Sequence, residues 1–178
     1  CADWYSKAKQ TPGFTVELIY HLINSNSNEE AAKIIVEDGR GLVALGHMEL
    51  LGLMENIELS DVKLESKTRI HQLQGEIMAL LGRFEHAKEV FNEAQNGALE
   101  LKNIPIQAEV LSALADIALK QGNLEDALSM HNEALKNFIE LGDAKGAART
   151  YNNMGYLLRR KNDRTKALES YGEVETIL

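Results

Sequence analysis

The residues of this chain that could act in catalysis or bind a metal are five histidines and one short glycine-containing stretch. No histidine joins a second histidine and a glutamate in the HExxH arrangement, by which one helix face presents metal ligands. The stretch at 39–41 lacks the following Lys and Ser or Thr of a phosphate-binding loop, and no serine stands in a nucleophile-elbow pattern. The sequence therefore predicts no catalytic site, no metal and no cofactor. The histidines stand at positions 21, 47, 71, 86 and 131.

His131 is the histidine that falls in a regular apolar stripe. Leu124, Leu128, Leu135 and Phe138 surround it at helical spacing. We expect an interior histidine with a satisfied hydrogen bond, rather than a ligand or a base.

The polar segment 149–160 contains residues that could bind a peptide. An asparagine amide both donates and accepts, so Asn153 can hold a peptide backbone. Arginines on either side would receive acidic groups of the same ligand. The alternative is that these polar residues only keep an exposed face in water. The candidate residues in this segment are Arg149, Asn152, Asn153, Tyr156 and Arg160.

Composition restricts the class of partner and the compartment. The net charge of -8 and the pI near 5.2 oppose binding to a phosphate backbone, so no nucleic-acid partner is expected. No apolar run reaches the roughly 18 residues of a spanning helix. A single cysteine, Cys1, cannot form an internal disulfide, which fits a reducing compartment. We expect a cytoplasmic protein without membrane contact; Cys1 leaves open a lipoprotein, or a piece of a longer chain.

The elements that position these residues repeat every forty positions. The segment 121–127, QGNLEDA, has counterparts at 81–87 and 161–167. Each unit contains two amphipathic helices, and the units are 67–106, 107–146 and a clipped 147–178. Small residues recur where the two helices of a unit would cross, because close backbones leave no room for a large side chain. We expect Asn103 and Asp143 to cap the following helices and Pro105 to lie in a first turn.

These recurring residues resemble the tetratricopeptide repeat. The period of forty exceeds the family's usual 34 or so, and is similar to the variant in kinesin light chains and regulatory ATPases. His131 replaces the family's aromatic residue, Asn162 replaces its glycine, and Arg164 stands where a turn residue is usual. The matching positions are Gly75, Gly82, Ala87 and Phe91; Ala115, Gly122 and Ala127; and Gly155, Ala167 and Tyr171.

The resemblance implies an all-α fold, a right-handed superhelix of antiparallel helix pairs whose first helices line a concave groove. It places Gln72 and Asp116 on that groove with the segment 149–160, and implies that Asn153 contacts a peptide backbone. The family's site for a C-terminal carboxylate needs Lys and Arg where this chain has Gln72, Glu76, Ser112 and Asp116. A receptor for chaperone tails is therefore not expected.

The first sixty residues follow a different pattern. Residues 1–60 predict irregular helical hairpins that lead into a solenoid at 61–178. Ser27 and Glu30 form a capping-box signature, and Gly39, Gly41 and Gly46 are expected to break the chain into short pieces. The string at 2–46, with Ile19-Tyr20-His21, resembles the helical arm of STAND-class signalling ATPases.

Three functions remain open from the sequence. The first is a protein-binding scaffold that holds an extended peptide or a partner helix, as the regulatory arm of a larger ATPase. The second is self-association through the C-terminal edge at Val174, Ile177 and Leu178. The third is a small-molecule sensor arm of a transcription regulator. The sequence does not identify the partner.

Overall fold

The computed structural model describes the backbone of residues 11–177 and the side chains of residues 11–176. The part of the predicted helical hairpins that falls on residues 1–10 lies outside this range. The described residues form helices and turns, with no strand among them. The helices are α1 (Pro12–Asn24), α2 (Asn28–Ala44), α3 (Leu50–Glu55), a 3-10 turn (Leu59–Asp61), α4 (Leu64–Leu80), α5 (Phe84–Glu100), α6 (Ile104–Lys120), α7 (Leu124–Glu140), α8 (Ala144–Arg160) and α9 (Arg164–Ile177).

The forty-residue period arises from helices of uniform length. Each of α4 to α8 has 17 residues, and turns of three residues separate them, so a helix begins every 20 positions. The prediction of longer helices than in the usual repeat is therefore confirmed.

One turn geometry ends each of these helices. The residue after each C-cap has a positive φ: 75° at Gly82, 85° at Gly122, 67° at Gly142 and 64° at Asn162. The next amide donates to a carbonyl five residues back, as from Asn123 N to Ala118 O at 2.9 Å. Glycine and asparagine tolerate this left-handed backbone, so Asn162 fills the glycine position as predicted. Lys102, with a φ of 53°, adopts the same left-handed conformation, which is less favourable for lysine than for glycine or asparagine.

Small residues lie where the paired helices cross. A Cβ added at Gly75 would stand 2.7 Å from the Phe91 ring, and one at Gly155 would stand 2.5 Å from the Tyr171 ring. Ala87 and Ala127 are fully buried, as is Ala115, and Ala167 is 3% exposed. The helix-crossing prediction is confirmed.

Side-chain caps begin two of the predicted helices. Asn103 accepts from Ile106 N at 3.1 Å and Asp143 accepts from Gly146 N at 2.9 Å, while Pro105 occupies the first turn of α6. Ser27 is the N-cap of α2, but its side chain makes no cap hydrogen bond; its hydroxyl accepts from Ser25 instead. The capping-box prediction is therefore wrong.

Two glycines expected to break the chain lie inside a helix. α2 runs without interruption through Gly39 and Gly41 to Ala44, and the break comes at Gly46, with φ 94°. A Cβ at Gly39 would meet Leu73 Cδ2 at 2.5 Å. Gly39 therefore allows α2 to pass close to α4, a tertiary reason that local patterns do not show.

The contacts divide the chain into two compact units, Cys1–Gly97 and Ala98–Leu178. In the second unit, α7 packs with α6 and α8, and α8 with α9. Its larger core surrounds Phe138, which is 2% exposed, and a smaller one joins Ala118, Ala127 and Leu157. The larger core contains Ala108, Leu111, Ala134, Leu135, Phe138, Ala147 and Met154, with Leu128 and Tyr151 against it.

Candidate functional site

Helix α8 presents a cationic stripe to solvent. Its 17 residues include four basic side chains and no acidic one, in a chain whose net charge is -8. Spacings of three and four residues place these side chains along one helix face. The stripe from 145 to 160 is about 22 Å long at the helical rise of about 1.5 Å per residue. Its exposed residues, the α8 stripe from here on, are Lys145, Arg149, Asn152, Tyr156, Arg159 and Arg160.

Two arginines of the α8 stripe lie over aromatic rings. The Arg159 guanidinium is 5.5 Å from the centroid of Tyr156, a ring that is 42% exposed. The Arg149 guanidinium is 6.0 Å from the centroid of Phe138, on α7. Such contacts restrict the side chains while leaving guanidinium donors available.

A polar cluster of Asp116, Asn153 and His131 joins three helices beside the stripe. Asn153 Nδ2 donates to Asp116 Oδ1 at 2.9 Å, which links α8 to α6, the first helices of successive repeats. His131 Nε2, from α7, lies 3.4 Å from the same oxygen without a hydrogen bond. Asp116 keeps 47% of its side chain exposed, whereas His131 is fully buried.

His131 is interior, as predicted, but it is not satisfied. Neither ring nitrogen has a hydrogen-bond partner. A buried imidazole normally donates through one nitrogen and accepts through the other. The predicted satisfied hydrogen bond is therefore absent, and Nε2 lies at ion-pair distance, 3.4 Å, from the Asp116 carboxylate.

The remaining predicted site residues differ in their accessibility. Arg149, Asn152, Tyr156 and Arg160 are exposed, and Asn153 is half-buried. Arg160 Nη1 lies 3.5 Å from Leu119 O on α6. Gln72 is 2% exposed and belongs to the first unit, where it lines a cavity of about 50 Å³ with Val36 and other residues of α2 and α4. The placement of Gln72 on an open groove is a correction to the sequence prediction: α2 packs against α4 there.

The site predicted from the sequence did not include Lys145 and Arg159. It also did not place His131 next to Asp116 and Asn153. Lys145 and Arg149 stand at the i, i+4 spacing, so extending the stripe by one turn would have included Lys145. His131 lies 15 residues from Asp116 and 22 from Asn153, and only their contact shows the cluster.

The basic segment after Arg160 belongs to a helix end. Lys161 pairs with Glu125 at 2.5 Å, and Lys166 pairs with Asp163 at 3.3 Å. Asp163 Oδ1 accepts from Lys166 N at 3.2 Å, and this backbone hydrogen bond is the main cause that lowers the pKa of the Asp163 carboxyl. These cations are partly neutralised, so we end the stripe at Arg160.

The described residues contain no group of three His, Cys, Asp or Glu side chains placed to hold a metal ion. None of the helices in the same range is long and apolar enough to cross a membrane.

The comparisons with known proteins identify the repeat. The described part of the chain is an all-α solenoid of helices packed in consecutive pairs. Residues 106–178 match the tetratricopeptide repeat family, so this part of the chain contains tetratricopeptide repeats. Tetratricopeptide repeats are typically non-catalytic scaffolds, and the match over residues 106–178 supports a scaffold for protein interaction.

Two solved structures have a similar fold. One is the crystal structure of BtubC (BKLC) from P. vanneervenii, with 22% identity and a TM-score of 0.63 over 97% of this chain and 72% of that chain. The other is the MamA RS-1 ArsTM double mutant, with 15% identity and a TM-score of 0.60 over 93% of each chain. No curated protein sequence matches the chain significantly.

Proposed function

We propose that the second unit binds an acidic segment of a partner protein, in extended conformation, along the α8 stripe. The observation that carries the proposal is the concentration of four exposed cations, without an acidic residue, on one helix of an acidic chain. Complementary charge steers such a ligand toward the helix and selects against basic ligands.

The dimensions of the stripe define the ligand. An extended peptide rises about 3.3 Å per residue, so about seven residues cover about 22 Å. Arg149 and Arg160 are 11 positions apart, about 16 Å along the helix axis, which corresponds to about five residues of extended peptide. Carboxylates at that separation would meet both guanidinium groups at once.

Asn153 supplies the contact to the peptide backbone. Its Nδ2 donates to Asp116, and its Oδ1 accepts no hydrogen bond from any described residue. That oxygen is available to a ligand amide N–H, while the bond to Asp116 fixes the orientation of the side chain. Tyr156 adds a partly exposed ring beside it.

A positional peptide library of about nine residues tests the proposal, because that length exceeds the stripe by about two residues. We expect selection for acidic residues at two positions about five apart, and affinity that falls as salt rises. Arg149→Gln and Arg160→Gln should each weaken the selected peptides. Lys136→Gln removes the same charge from an exposed position on α7 and should not. Equal affinity of the parent for acidic and neutral peptides would refute the proposal.

Association of copies through α9 is a second candidate. Leu168 is 71% exposed, whereas its equivalent one repeat earlier, Leu128, packs against the core around Phe138. Light scattering over a concentration series tests this candidate. Association that persists in Leu168→Glu, or a parent that stays monomeric, would exclude it.

The ATPase-arm hypothesis rests on the resemblance of residues 2–46 alone. The proposal extends to a regulatory arm only if the coding sequence upstream of residue 1 encodes a nucleotide-binding domain. Reading the flanking frame decides between an arm and an independent scaffold.

A further inference from the structure

We propose that Asp116 is a subsite for a guanidinium group of the ligand, so that the ligand has an arginine between its acidic residues. This inference rests on the proposed function and deepens it, since it assigns a charge pattern to the bound segment. Asp116, on α6, accepts a hydrogen bond from Asn153, on α8. Asn153 stands between Arg149 and Arg160 along α8.

The Asp116 carboxylate has unused acceptor capacity. Among the described residues only Asn153 donates to it, through Oδ1, and Oδ2 receives no hydrogen bond. An ionised carboxylate offers about four acceptor positions. With nearly half of the side chain exposed, the outer oxygen is open to a ligand.

The same repeat position in the first unit already binds a guanidinium group. Glu76 stands forty residues before Asp116. Its carboxylate accepts from Arg40 Nη2 at 2.7 Å and from Arg40 Nε at 3.2 Å, a bidentate pair. In the second unit the ion-pair contact of Asp116 is with His131 Nε2, at 3.4 Å, rather than with an arginine. The fold thus places a carboxylate at this position twice and supplies an internal arginine once.

His131 is an independent sign of a ligand site. It is fully buried, neither ring nitrogen has a hydrogen-bond partner, and Nε2 lies within ion-pair distance of Asp116 Oδ1, at 3.4 Å. The equivalent positions hold Phe91 and Tyr171, so a six-membered aromatic ring suits the packing. A buried polar group left unpaired is uncommon in native proteins. Here the buried polar group lies next to the partly exposed Asp116 carboxylate, so both unusual features occur at the same place.

A wholly acidic ligand would conflict with this arrangement. A ligand carboxylate opposite Asp116 would meet a like charge at short range, which disfavours binding. A ligand guanidinium at this place would donate to Asp116 Oδ2. The acidic residues on either side of it in the ligand would pair with Arg149 and Arg160. The geometry therefore selects a pattern of acid, base, acid.

An arginine scan of a bound acidic peptide tests this inference. Each position in turn receives arginine or citrulline, its neutral isostere, and affinity is measured by fluorescence anisotropy. At one interior position we expect arginine to bind about five-fold more tightly than citrulline, the upper range for a partly exposed ion pair. Asp116→Asn should abolish that difference. Asp126→Asn, an exposed matched control on α7, should keep it.

The outcomes separate this inference from the proposed function. Citrulline peptides that bind the stripe, with arginine never better at any position, would overturn the inference alone. A preference for arginine that survives Asp116→Asn would overturn it too. If no acidic peptide binds the parent at low salt, the proposed function fails and the inference fails with it.

Discussion

Gly155→Ala should destabilise the second unit, although alanine is the better helix former. The substitution alone would favour α8 by about 1 kcal/mol, because glycine has greater backbone freedom in the unfolded chain. The new Cβ, however, would lie 2.5 Å from Tyr171 Cε1 and 2.7 Å from Cζ. Contacts under 3.0 Å force the ring or the helix to move. Overpacking costs about 1–3 kcal/mol, so we expect a net loss of about 1 kcal/mol.

The matched control is Gly172→Ala on the partner helix α9. Gly172 is exposed, and an added Cβ would meet nothing within 4 Å. The same chemical change should therefore stabilise α9, by about 0.5 kcal/mol near the end of a helix. Urea denaturation followed by circular dichroism measures both variants.

The repeat itself suggests a rescue. Where Gly155 faces Tyr171, the preceding repeat has Ala115 and His131, an alanine with a smaller ring. Tyr171→His should therefore recover most of the stability that Gly155→Ala loses, with a coupling energy of at least about 0.5 kcal/mol in a double-mutant cycle. If Gly155→Ala stabilises the protein as much as Gly172→Ala does, the crossing is not tight and the packing argument is wrong.

Three further predictions concern single side chains. Lys102→Gly should raise the free energy of unfolding by about 0.5–1 kcal/mol, because the φ of 53° strains lysine; a lower urea midpoint would contradict this. Asp143→Ala should lower it by about 1 kcal/mol through loss of the cap on Gly146 N, and an unchanged midpoint would show that water replaces the cap. Burial, followed by the nearby charge of Lys67, lowers the pKa of His71, so the unfolded chain takes up this proton at higher pH than the folded chain. The contribution of His71 to stability is therefore intact above the unfolded pKa of about 6.5 and falls as pH drops through it. The free energy of unfolding of the parent relative to His71→Gln should decrease as pH falls from about 7.5 to about 5.5. If the two proteins differ by the same free energy at every pH, the pKa of His71 is not lowered by folding.

The features predicted correctly from the sequence are those that local chemistry determines. A left-handed turn residue needs glycine or asparagine, so Gly82, Gly122 and Asn162 marked the helix ends. A capping oxygen needs Asn, Asp, Ser or Thr at one fixed position, which identified Asn103 and Asp143. Each of these requirements involves residues within a few positions of each other.

The errors come from contacts between distant segments. Gly39 resembled a helix breaker, but it lies within α2 and gives room to Leu73. Gln72 and Asn152 occupy the same repeat position, yet Gln72 is buried beside α2 whereas Asn152 is exposed. A repeat alignment assigns them the same environment because it does not include α2.

The candidate site follows from departures from the repeat, and these departures occur together. The position of Glu76 and Asp116 holds Tyr156 in the last repeat, where the neighbouring side chains become cationic. The ring position changes to His131 only in the repeat whose carboxylate lacks an internal arginine. The packing within each repeat requires only small residues at the crossings and rings opposite them, so neither change is needed for the fold. Because both changes meet at Asp116 and Asn153, the surface between α6 and α8 is where substitutions should alter binding while leaving the free energy of unfolding nearly unchanged.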